Sequence, residues 1–466
     1  MKKYDAAVIG GGLLGCFAAR ELMRYDLSAV LIEAREDVCT GISRANTAVI
    51  YAGYDNAPHT LKAELTVRAN RSFDALCREL EVPFSRCGEL VVGCGERAGA
   101  VFRKKLGNGL LNGVEGLRIL SAAEARELEP SLSETVSSAL YSPANGTVDP
   151  WRLCYAAYEN ALANGCEAML NTELSAIRRE DGGYILESST GEVFARTVIN
   201  CAGLSADRVH ELLFAPSVRI FPDGADYLIL ERGTTELRHI VSYEPEDGSK
   251  GVTVVPTVGG AVLVGASERA LKAERSATDE GALVFLTNSV QQFLPGLLHG
   301  NVIRSFAAVR PNPHRVVYRD GQYVPDGKSI GSFVIETPEP GYIGFIGIKT
   351  PGLTCADELG KLASKRVAEH LAVKQRTDFE SRRKAAPSPR DMKFDERRAF
   401  IEKNPEYGNI ICLCEEISEG EILDAIRRGA VSFDGVKRRC GASLGACQGS
   451  RCRYKIEQLL SHERGN

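Results

Sequence analysis

The sequence predicts an α/β protein in which a large unit is followed by a small carboxy-terminal module. Short apolar runs, such as residues 6–9, 29–32 and 197–199, alternate with longer helix-like patterns up to about residue 370. This alternation is typical of a sheet with helices packed on it. Five of the 14 cysteines then lie close together, between Cys412 and Cys452. That concentration indicates a separate module with its own chemistry.

Length and charge narrow the classes of function. A chain of 466 residues exceeds one typical domain, so we expect two or three. With 57 basic and 61 acidic residues, the net charge of -4 gives no field that would steer nucleic acid or an anionic membrane. No apolar run approaches the roughly 20 residues that span a bilayer, and no secretory signal is visible. We therefore expect no nucleic-acid partner, no transmembrane segment and a cytoplasmic location, peripheral to a membrane only through a partner subunit.

A glycine-rich turn follows the first predicted strand. Gly10, Gly12 and Gly15 form the pattern G-x-G-x-x-G between this strand and a helix-like segment. Such glycines permit a tight turn, a close approach of the backbone to a pyrophosphate, and close packing of helix on strand. Glu33 ends the next strand, 18 positions after Gly15, where a carboxylate accepts hydrogen bonds from ribose hydroxyls. The turn therefore predicts a dinucleotide site.

The clustered cysteines have the spacing of a metal site. Cys412 and Cys414 form C-x-C, and after 32 intervening residues Cys447 and Cys452 form C-x4-C. Four thiolates suit a [2Fe-2S] cluster or zinc. A capping box at residues 418–421 predicts a helix over residues 419–428 between the two pairs.

Residues 41–54 resemble the segment that follows the ribose acid in FAD-dependent enzymes of the D-amino-acid-oxidase superfamily, of the glycerol-3-phosphate or L-2-hydroxyglutarate dehydrogenase type. Further similar segments follow in the expected order at residues 146–150, 200–207, 255–257, 308–311 and 347–354. The resemblance implies a Rossmann-like FAD-binding domain with an interleaved α+β substrate lobe over residues 1–372. It also implies that the FAD contacts include Ser43, Asn46, Thr47, Leu174, Gly203, Gly352, Leu353 and Thr354.

Residues 411–460 resemble the bacterioferritin-associated-ferredoxin-like (BFD-like) [2Fe-2S] domain. The resemblance implies a small helical domain over residues 409–466. Before it, apolar periodicity fades and charges crowd around Pro387 and Pro389, which indicates an exposed linker over residues 373–408. The resemblance makes Cys412, Cys414, Cys447 and Cys452 the cluster ligands. Structural zinc is the competing interpretation, although zinc pairs usually have two to four intervening residues.

Catalytic residues are predicted from the same resemblance. Arg310 matches a position at which an arginine faces a substrate carboxylate or phosphate, and Lys349 precedes the predicted flavin helix, where it could bind the flavin or the substrate anion. Tyr51 replaces the histidine of related hydroxy-acid enzymes. Because tyrosine is a poor base at neutral pH, we expect Tyr51 to orient the substrate. His59 and His314 are alternative candidates for the catalytic base.

We therefore predict an FAD-dependent dehydrogenase that oxidises a small anionic hydroxy compound of the glycerol-3-phosphate or 2-hydroxy-acid type. Electrons would pass through a [2Fe-2S] cluster to a redox partner protein or to further subunits of a complex. Three alternatives stay open. They are an amine or amino-acid dehydrogenase of the opine or hydroxyproline type, an electron-transfer subunit whose partner chain holds the substrate, and a zinc-stabilised binding module.

Overall fold

The computed structural model describes residues 1–233, 236–271, 277–299 and 301–465. The chain divides into two compact units, Met1–Ser381 and Arg382–Asn466. Among the described residues, no helix is both long and apolar enough to cross a membrane.

Helices and strands alternate through most of the chain. The helices are α1 (Leu13–Leu22), α2 (Leu61–Glu79), α3 (Gly95–Asn112), α4 (Ala122–Leu128), α5 (Pro150–Ala163), α6 (Ala206–Glu211), α7 (Glu280–Phe293), α8 (Gly352–Leu371), α9 (Phe394–Lys403), α10 (Glu419–Arg427), α11 (Phe433–Cys440) and α12 (Arg453–Gly465). The strands are β1 (Lys2–Ile9), β2 (Ala29–Ile32), β3 (Val49–Ile50), β4 (Phe84–Ser85), β5 (Glu89–Gly93), β6 (Arg118–Ser121), β7 (Ser138–Ser142), β8 (Gly146–Val148), β9 (Glu167–Met169), β10 (Leu174–Glu180), β11 (Gly183–Ser188), β12 (Gly191–Asn200), β13 (Val218–Leu230), β14 (Ile240–Glu244), β15 (Thr253–Pro256), β16 (Val262–Gly265), β17 (Arg269–Ala270), β18 (Val302–Arg319), β19 (Gln322–Pro325), β20 (Val334–Glu336), β21 (Tyr342–Ile346), β22 (Ile410–Cys412) and β23 (Ile417–Ser418).

The first sheet positions the glycine-rich turn. Its parallel part contains β1 between β2 and β12, with β9 and β21 outside them. β10, β11 and β20 add antiparallel strands. Helices α1, α5 and α8 share one core with β1 and β2, in which Phe17, Cys154 and Leu359 are fully buried. Because β1 is parallel and buried on both faces, it reads as a continuous apolar run in the sequence.

The second sheet is inserted between segments of the first. β13 and β18 form its longest ladder, antiparallel, with Asp223 opposite Arg310. From β13 the sheet continues through β16, β15, β14, β5, β7 and β6, while β19 pairs with β18 and β17 pairs with β13. Helix α7 packs against this sheet through Leu286, Val290 and Phe293. Since β5–β7 and β13–β19 interrupt the strands of the first sheet along the chain, this lobe is interleaved with the dinucleotide-binding lobe.

The second unit is small and mostly helical. β22 and β23 form a short hairpin, and α10, α11 and α12 enclose a core that includes Ile417, Ile422, Val436 and Ile456. α10 begins with the predicted capping box, in which Ser418 Oγ accepts from the backbone N–H of Glu421 while the Glu421 carboxylate accepts from the Ser418 N–H. The left-handed Gly429 follows its end.

The segment predicted as a linker, residues 373–408, contains structure of its own. Helix α9 lies within it, and the division between the compact units falls after Ser381. The sequence signal there was low apolar periodicity, and α9 has no buried residues, which is why its helical pattern was not visible. The three-part division of the chain stays a prediction.

Candidate functional site

The turn between β1 and α1 has the geometry of a dinucleotide site. Gly10 has a φ of 101°, a conformation that side chains rarely adopt, and a Cβ there would lie 2.6 Å from the Cys201 carbonyl oxygen. A Cβ at Gly15 would lie 1.9 Å from the Gly10 carbonyl oxygen. Gly12 is the N-cap of α1 and offers no side chain to the helix terminus. Gly12 therefore leaves room for an anionic group such as a pyrophosphate at the first turn of α1, where the Leu13 N–H also donates to Ser43 Oγ.

Glu33 lies beside this turn. Its carboxylate accepts from the backbone N–H of Gly11 at 2.6 Å and from that of Arg35 at 2.8 Å. Burial raises the pKa of Glu33, and the two backbone donors act in the opposite direction. Ser43 Oγ accepts from the Leu13 N–H at 2.9 Å, so the segment after Glu33 is tied to the start of α1. These residues fit the pyrophosphate and ribose of a bound FAD.

The other residues predicted to lie along FAD occupy loops and element ends of the first unit. Asn46 holds its own loop, because its amide donates to the Ser43 carbonyl and accepts from the Ala48 N–H. The Thr47 side chain lies near the Tyr51 hydroxyl and acts to lower its pKa, against the larger effect of burial. Leu174 begins β10, and Gly203, at a φ of 60°, begins a short 3-10 helix that is separated from the end of β12 by two residues. Their contacts with FAD stay predictions.

The start of α8 lies next to Tyr51. α8 begins at Gly352, followed by Leu353 and the fully buried Thr354, whose Oγ1 accepts from the Tyr51 backbone N–H at 3.1 Å. The predicted helix start is therefore present. Its N-terminal N–H groups and dipole would favour negative charge on a flavin ring placed there.

A cavity of about 340 Å³ opens beside this helix start. It brings together all three residues predicted to be catalytic, Tyr51, Arg310 and Lys349. The remaining lining is formed by Gly53, Tyr54, Asp55, Asn56, Lys62, Glu268, Asn312, Gly331, Thr350 and Pro351.

Three cations line the cavity. Lys349 Nζ donates to Asn312 Oδ1 at 2.6 Å and to Ser329 Oγ at 2.9 Å, which fixes the direction of its side chain. Lys62 Nζ donates to the Gly331 carbonyl at 3.0 Å. Within the described part of the chain, Arg310 makes no hydrogen bond or ion pair. Its guanidinium is thus available to an anionic ligand, with both lysines nearby.

Burial affects the ionisation of these groups. It lowers the pKa of Lys349, and the charge of Arg310 acts in the same direction. Burial likewise lowers the pKa of Lys62, with a contribution from Lys349. Like charges in one cavity disfavour each other's charged forms, and a bound anion would relieve this repulsion.

Tyr51 is protonated in this environment. Burial raises the pKa of its hydroxyl well above the ordinary value, Glu89 adds to this, and the opposing charge of Arg310 does not offset it. Tyr51 can therefore donate a hydrogen bond but cannot serve as a base near neutral pH. Neither alternative histidine lines the cavity: His59 is exposed, and His314 lies against Phe221 and the Gly327 carbonyl.

A carboxylate and a lysine stand beside Arg310. Glu268 lines the cavity, and its carboxylate lies 3.1 Å from Lys250 Nζ. Burial acts to raise the pKa of Glu268, but Lys250 and Arg310 outweigh it and hold the pKa below its ordinary value. Burial, together with Arg310, lowers the pKa of Lys250 to about 8.

Sequence reasoning missed Lys62, Glu268, Lys250 and Asn312. Asn312 could have been found, since it lies two residues after Arg310 on β18, and alternate residues of a strand share a face. Lys62 and Glu268 come from distant parts of the sequence, and only the tertiary structure brings them to Arg310.

The four predicted cluster ligands form two pairs in the second unit. Cys412 and Cys452 are buried, and their thiols lie close enough to influence each other. Cys414 and Cys447 are half-buried, and their thiols likewise lie close enough to influence each other. Ser443 contacts both members of the buried pair. Its N–H donates to Cys412 Sγ at 3.4 Å, and its Oγ forms a hydrogen bond with Cys452 Sγ at 3.0 Å. Two thiol pairs fit the two iron atoms of a [2Fe-2S] cluster.

Comparison with known proteins decides the family. Residues 5–366 match the family described as FAD dependent oxidoreductase (DAO), and residues 410–462 match the BFD-like [2Fe-2S] binding domain. The chain belongs to the DAO family of FAD-dependent oxidoreductases. The predicted fold class and the two predicted cofactors, FAD and a [2Fe-2S] cluster, are thereby confirmed. The roles of the individual site residues stay predictions.

Relatives place this family member near glycerol-phosphate enzymes. The chain is 35% identical to a glycerol 3-phosphate dehydrogenase of Caloramator mitchellensis, over 99% of this chain and 95% of that protein. It is 26% identical to a glycerol 3-phosphate oxidase of Mycoplasma pneumoniae, over 80% and 97%. The structure of the dithionite-reduced, FAD-bound L-α-glycerophosphate oxidase from Mycoplasma pneumoniae has the same fold, with a TM-score of 0.73, 24% identity, and coverage of 82% of this chain and 99% of that chain. This chain is a glycerol-3-phosphate dehydrogenase-like oxidoreductase with a [2Fe-2S] domain.

Proposed function

We propose that the chain oxidises the secondary alcohol of glycerol 3-phosphate to a ketone and passes the electrons through the [2Fe-2S] cluster to a partner protein. The observation that carries the proposal is the cavity beside the start of α8, lined by Arg310, Lys349 and Lys62. A phosphate ester is a compact dianion, and three converging cations suit it better than a neutral alcohol. The similarity to a glycerol 3-phosphate dehydrogenase over 99% of the chain supports the same substrate.

Each side chain has a role in this proposal. Arg310, Lys349 and Lys62 bind the phosphate, while Tyr51 donates a hydrogen bond that orients the substrate hydroxyl. Bound FAD supplies the acceptor for the hydride that leaves the alcohol carbon. Glu268 is ionised in the cavity and accepts the hydroxyl proton, so two electrons and two protons leave the alcohol in total.

The test is anaerobic reduction of the purified full-length protein. We expect glycerol 3-phosphate to bleach the flavin absorbance, and unphosphorylated glycerol to do so at least about 100-fold less efficiently, because it lacks the charged group. Arg310→Gln should raise the KM for glycerol 3-phosphate by about 10- to 100-fold, the loss of one charge-assisted contact. Arg315→Gln is the matched control, since Arg315 is exposed on the same strand.

A second candidate is oxidation of a secondary amine or amino acid. The observation favouring it is the high pKa of Tyr51, because an amine already deprotonated at nitrogen releases hydride without a protein base. Glu268 beside Arg310 would suit the mixed charges of such a substrate. Bleaching by L-proline or N-methyl amino acids, but not by glycerol 3-phosphate, would select this candidate. Bleaching by neither class would instead favour an electron-transfer subunit.

A further inference from the structure

The two cysteine pairs differ in their access to solvent. Cys412 and Cys452 are 0% and 1% exposed, whereas Cys414 and Cys447 are half-buried. A cluster held by the four thiolates would therefore have a buried side and an outer side. Leu413 lies between Cys412 and Cys414, with its side chain 63% exposed. An apolar side chain is thus left in water beside the outer pair.

Three exposed residues continue the surface next to the outer pair. Arg451 lies close enough to Cys414 for its charge to act on that thiol. The helical hydrogen bonds of α12 extend back through Arg453 to Gly449, so Arg451, Tyr454 and Lys455, at i, i+3 and i+4, share one face. Tyr454 is 71% exposed. We call Leu413, Arg451, Tyr454 and Lys455 the exit face.

The charge of the exit face is positive. Arg451 and Lys455 make no hydrogen bond or ion pair with any residue that the structure describes, and both are exposed. Glu457, the next acid along α12, is bound to Arg453 at 2.8 Å, and Glu415 lies against Arg390. Glu416 is an exposed acid of the ligand loop. Two free cations thus flank an exposed leucine and an exposed tyrosine, a combination typical of transient interfaces.

We propose that the exit face is the docking surface for an electron-acceptor protein with an acidic rim, and that electrons leave on the side of Cys414 and Cys447. This inference rests on the proposed transfer of electrons through the cluster. The step is the loss of one electron by the reduced cluster to the acceptor, with no bond made and no proton moved. The docking contact brings the acceptor against the outer thiolates, where the tunnelling distance is shortest.

The test uses two small one-electron acceptors of opposite charge in place of the partner. The full-length protein with both cofactors is reduced with dithionite under argon and mixed with ferricyanide or with hexaammineruthenium(III), and oxidation of the cluster is followed by its absorbance. We expect Lys455→Gln and Arg451→Gln each to slow the oxidation of the cluster by ferricyanide, an anion, by about three- to tenfold at low salt. Each variant should accelerate the oxidation by hexaammineruthenium(III), a cation. Both effects should vanish at high salt. Because dithionite replaces the substrate, this result is independent of whether glycerol 3-phosphate is oxidised.

Lys403→Gln is the matched control, an identical change of charge at an exposed lysine of α9 in the same unit. Binding of a fluorescein-labelled oligoglutamate peptide supplies a readout without electron flow, and Lys455→Gln should weaken it while Lys403→Gln should not. The midpoint potential of the cluster is measured for each variant. If Arg451→Gln shifts the midpoint potential of the cluster, its rates no longer report on docking alone, and the rates of Lys455→Gln decide the outcome.

Equally slower oxidation of the cluster by both acceptors would overturn the proposal, because it would indicate a perturbed cluster rather than a charged docking surface. Equal effects of Lys455→Gln and Lys403→Gln would also overturn it, since they would reflect net charge alone. Unchanged rates in both exit-face variants would show that electrons leave elsewhere.

Discussion

Tyr51 is the site residue for which the resemblance to hydroxy-acid enzymes leads us to expect a histidine. Its hydroxyl stays protonated because burial and Glu89 raise its pKa. We expect Tyr51→His to place a group that titrates near neutral pH in the cavity and to raise kcat for glycerol 3-phosphate by about tenfold or more, with a new rise of rate between about pH 6 and 7. Tyr51→Phe should lower kcat about three- to tenfold without this rise. Stopped-flow flavin reduction across pH gives both profiles. A histidine variant that behaves like the phenylalanine variant would mean that proton removal does not limit the reaction.

The ionisation of Lys250 should make the binding of an anionic substrate in the cavity depend on pH. Its pKa is lowered to about 8, so it is charged at neutral pH and loses its proton as the pH rises through 8. The carboxylate of Glu268 then loses its partner and repels an anionic substrate. We expect the apparent Kd of glycerol 3-phosphate, obtained from the substrate dependence of the stopped-flow rate of flavin reduction, to rise about three- to tenfold between pH 7 and 9.

The control for this pH effect is Lys250→Met. This variant should bind glycerol 3-phosphate weakly at pH 7, and its apparent Kd should not rise between pH 7 and 9, because the titrating group is gone. Lys349 and Lys62 are unchanged in this variant. An identical rise in Lys250→Met would therefore assign the pH dependence to one of those two lysines.

Helix starts could be predicted from the sequence, because neighbouring residues determine them. The start of α8 and the capping box of α10 were both predicted, because proline and Ser/Glu pairs act within one helical turn. The cavity was predicted only through Arg310, Lys349 and Tyr51. Lys62 lies 248 residues and Glu268 lies 42 residues before Arg310 in the sequence, so only the tertiary fold brings them to the cavity, and no periodicity encodes such contacts.

The capping box of α10 makes a prediction about the stability of the second unit. Ser418 is 0% exposed and Glu421 is 4% exposed, so Ser418→Ala leaves a buried carboxylate without its hydroxyl partner. We expect the free energy of unfolding of this unit to fall by about 1–2 kcal/mol. Loss of cluster absorbance in urea measures it. Ser121→Ala, which removes the same type of capping box from α4 in the first unit, should leave this transition unchanged. Equal shifts in the two variants would argue against separate unfolding of the units.

At the scale of the whole molecule, each compact unit has its own core and its own cofactor site. The glycine-rich turn lies in Met1–Ser381, and the four cysteines lie in Arg382–Asn466. Gly15→Ala should abolish FAD binding, because the new Cβ would collide with the Gly10 carbonyl oxygen, while the cluster is retained. Cys447→Ala should lose the cluster and retain the flavin.

The two variants together test whether electrons pass from the first site to the second within the chain. In the wild-type protein we expect glycerol 3-phosphate to reduce both cofactors, observed as flavin bleaching and as the EPR signal of the reduced cluster. In Cys447→Ala the substrate should bleach the flavin alone. In Gly15→Ala the substrate should reduce nothing, although dithionite still produces the cluster signal, because the flavin is the only entry for hydride in this proposal. Substrate-dependent reduction of the cluster in flavin-free Gly15→Ala would contradict it, and simultaneous loss of both cofactors in either variant would show that the two units do not fold independently.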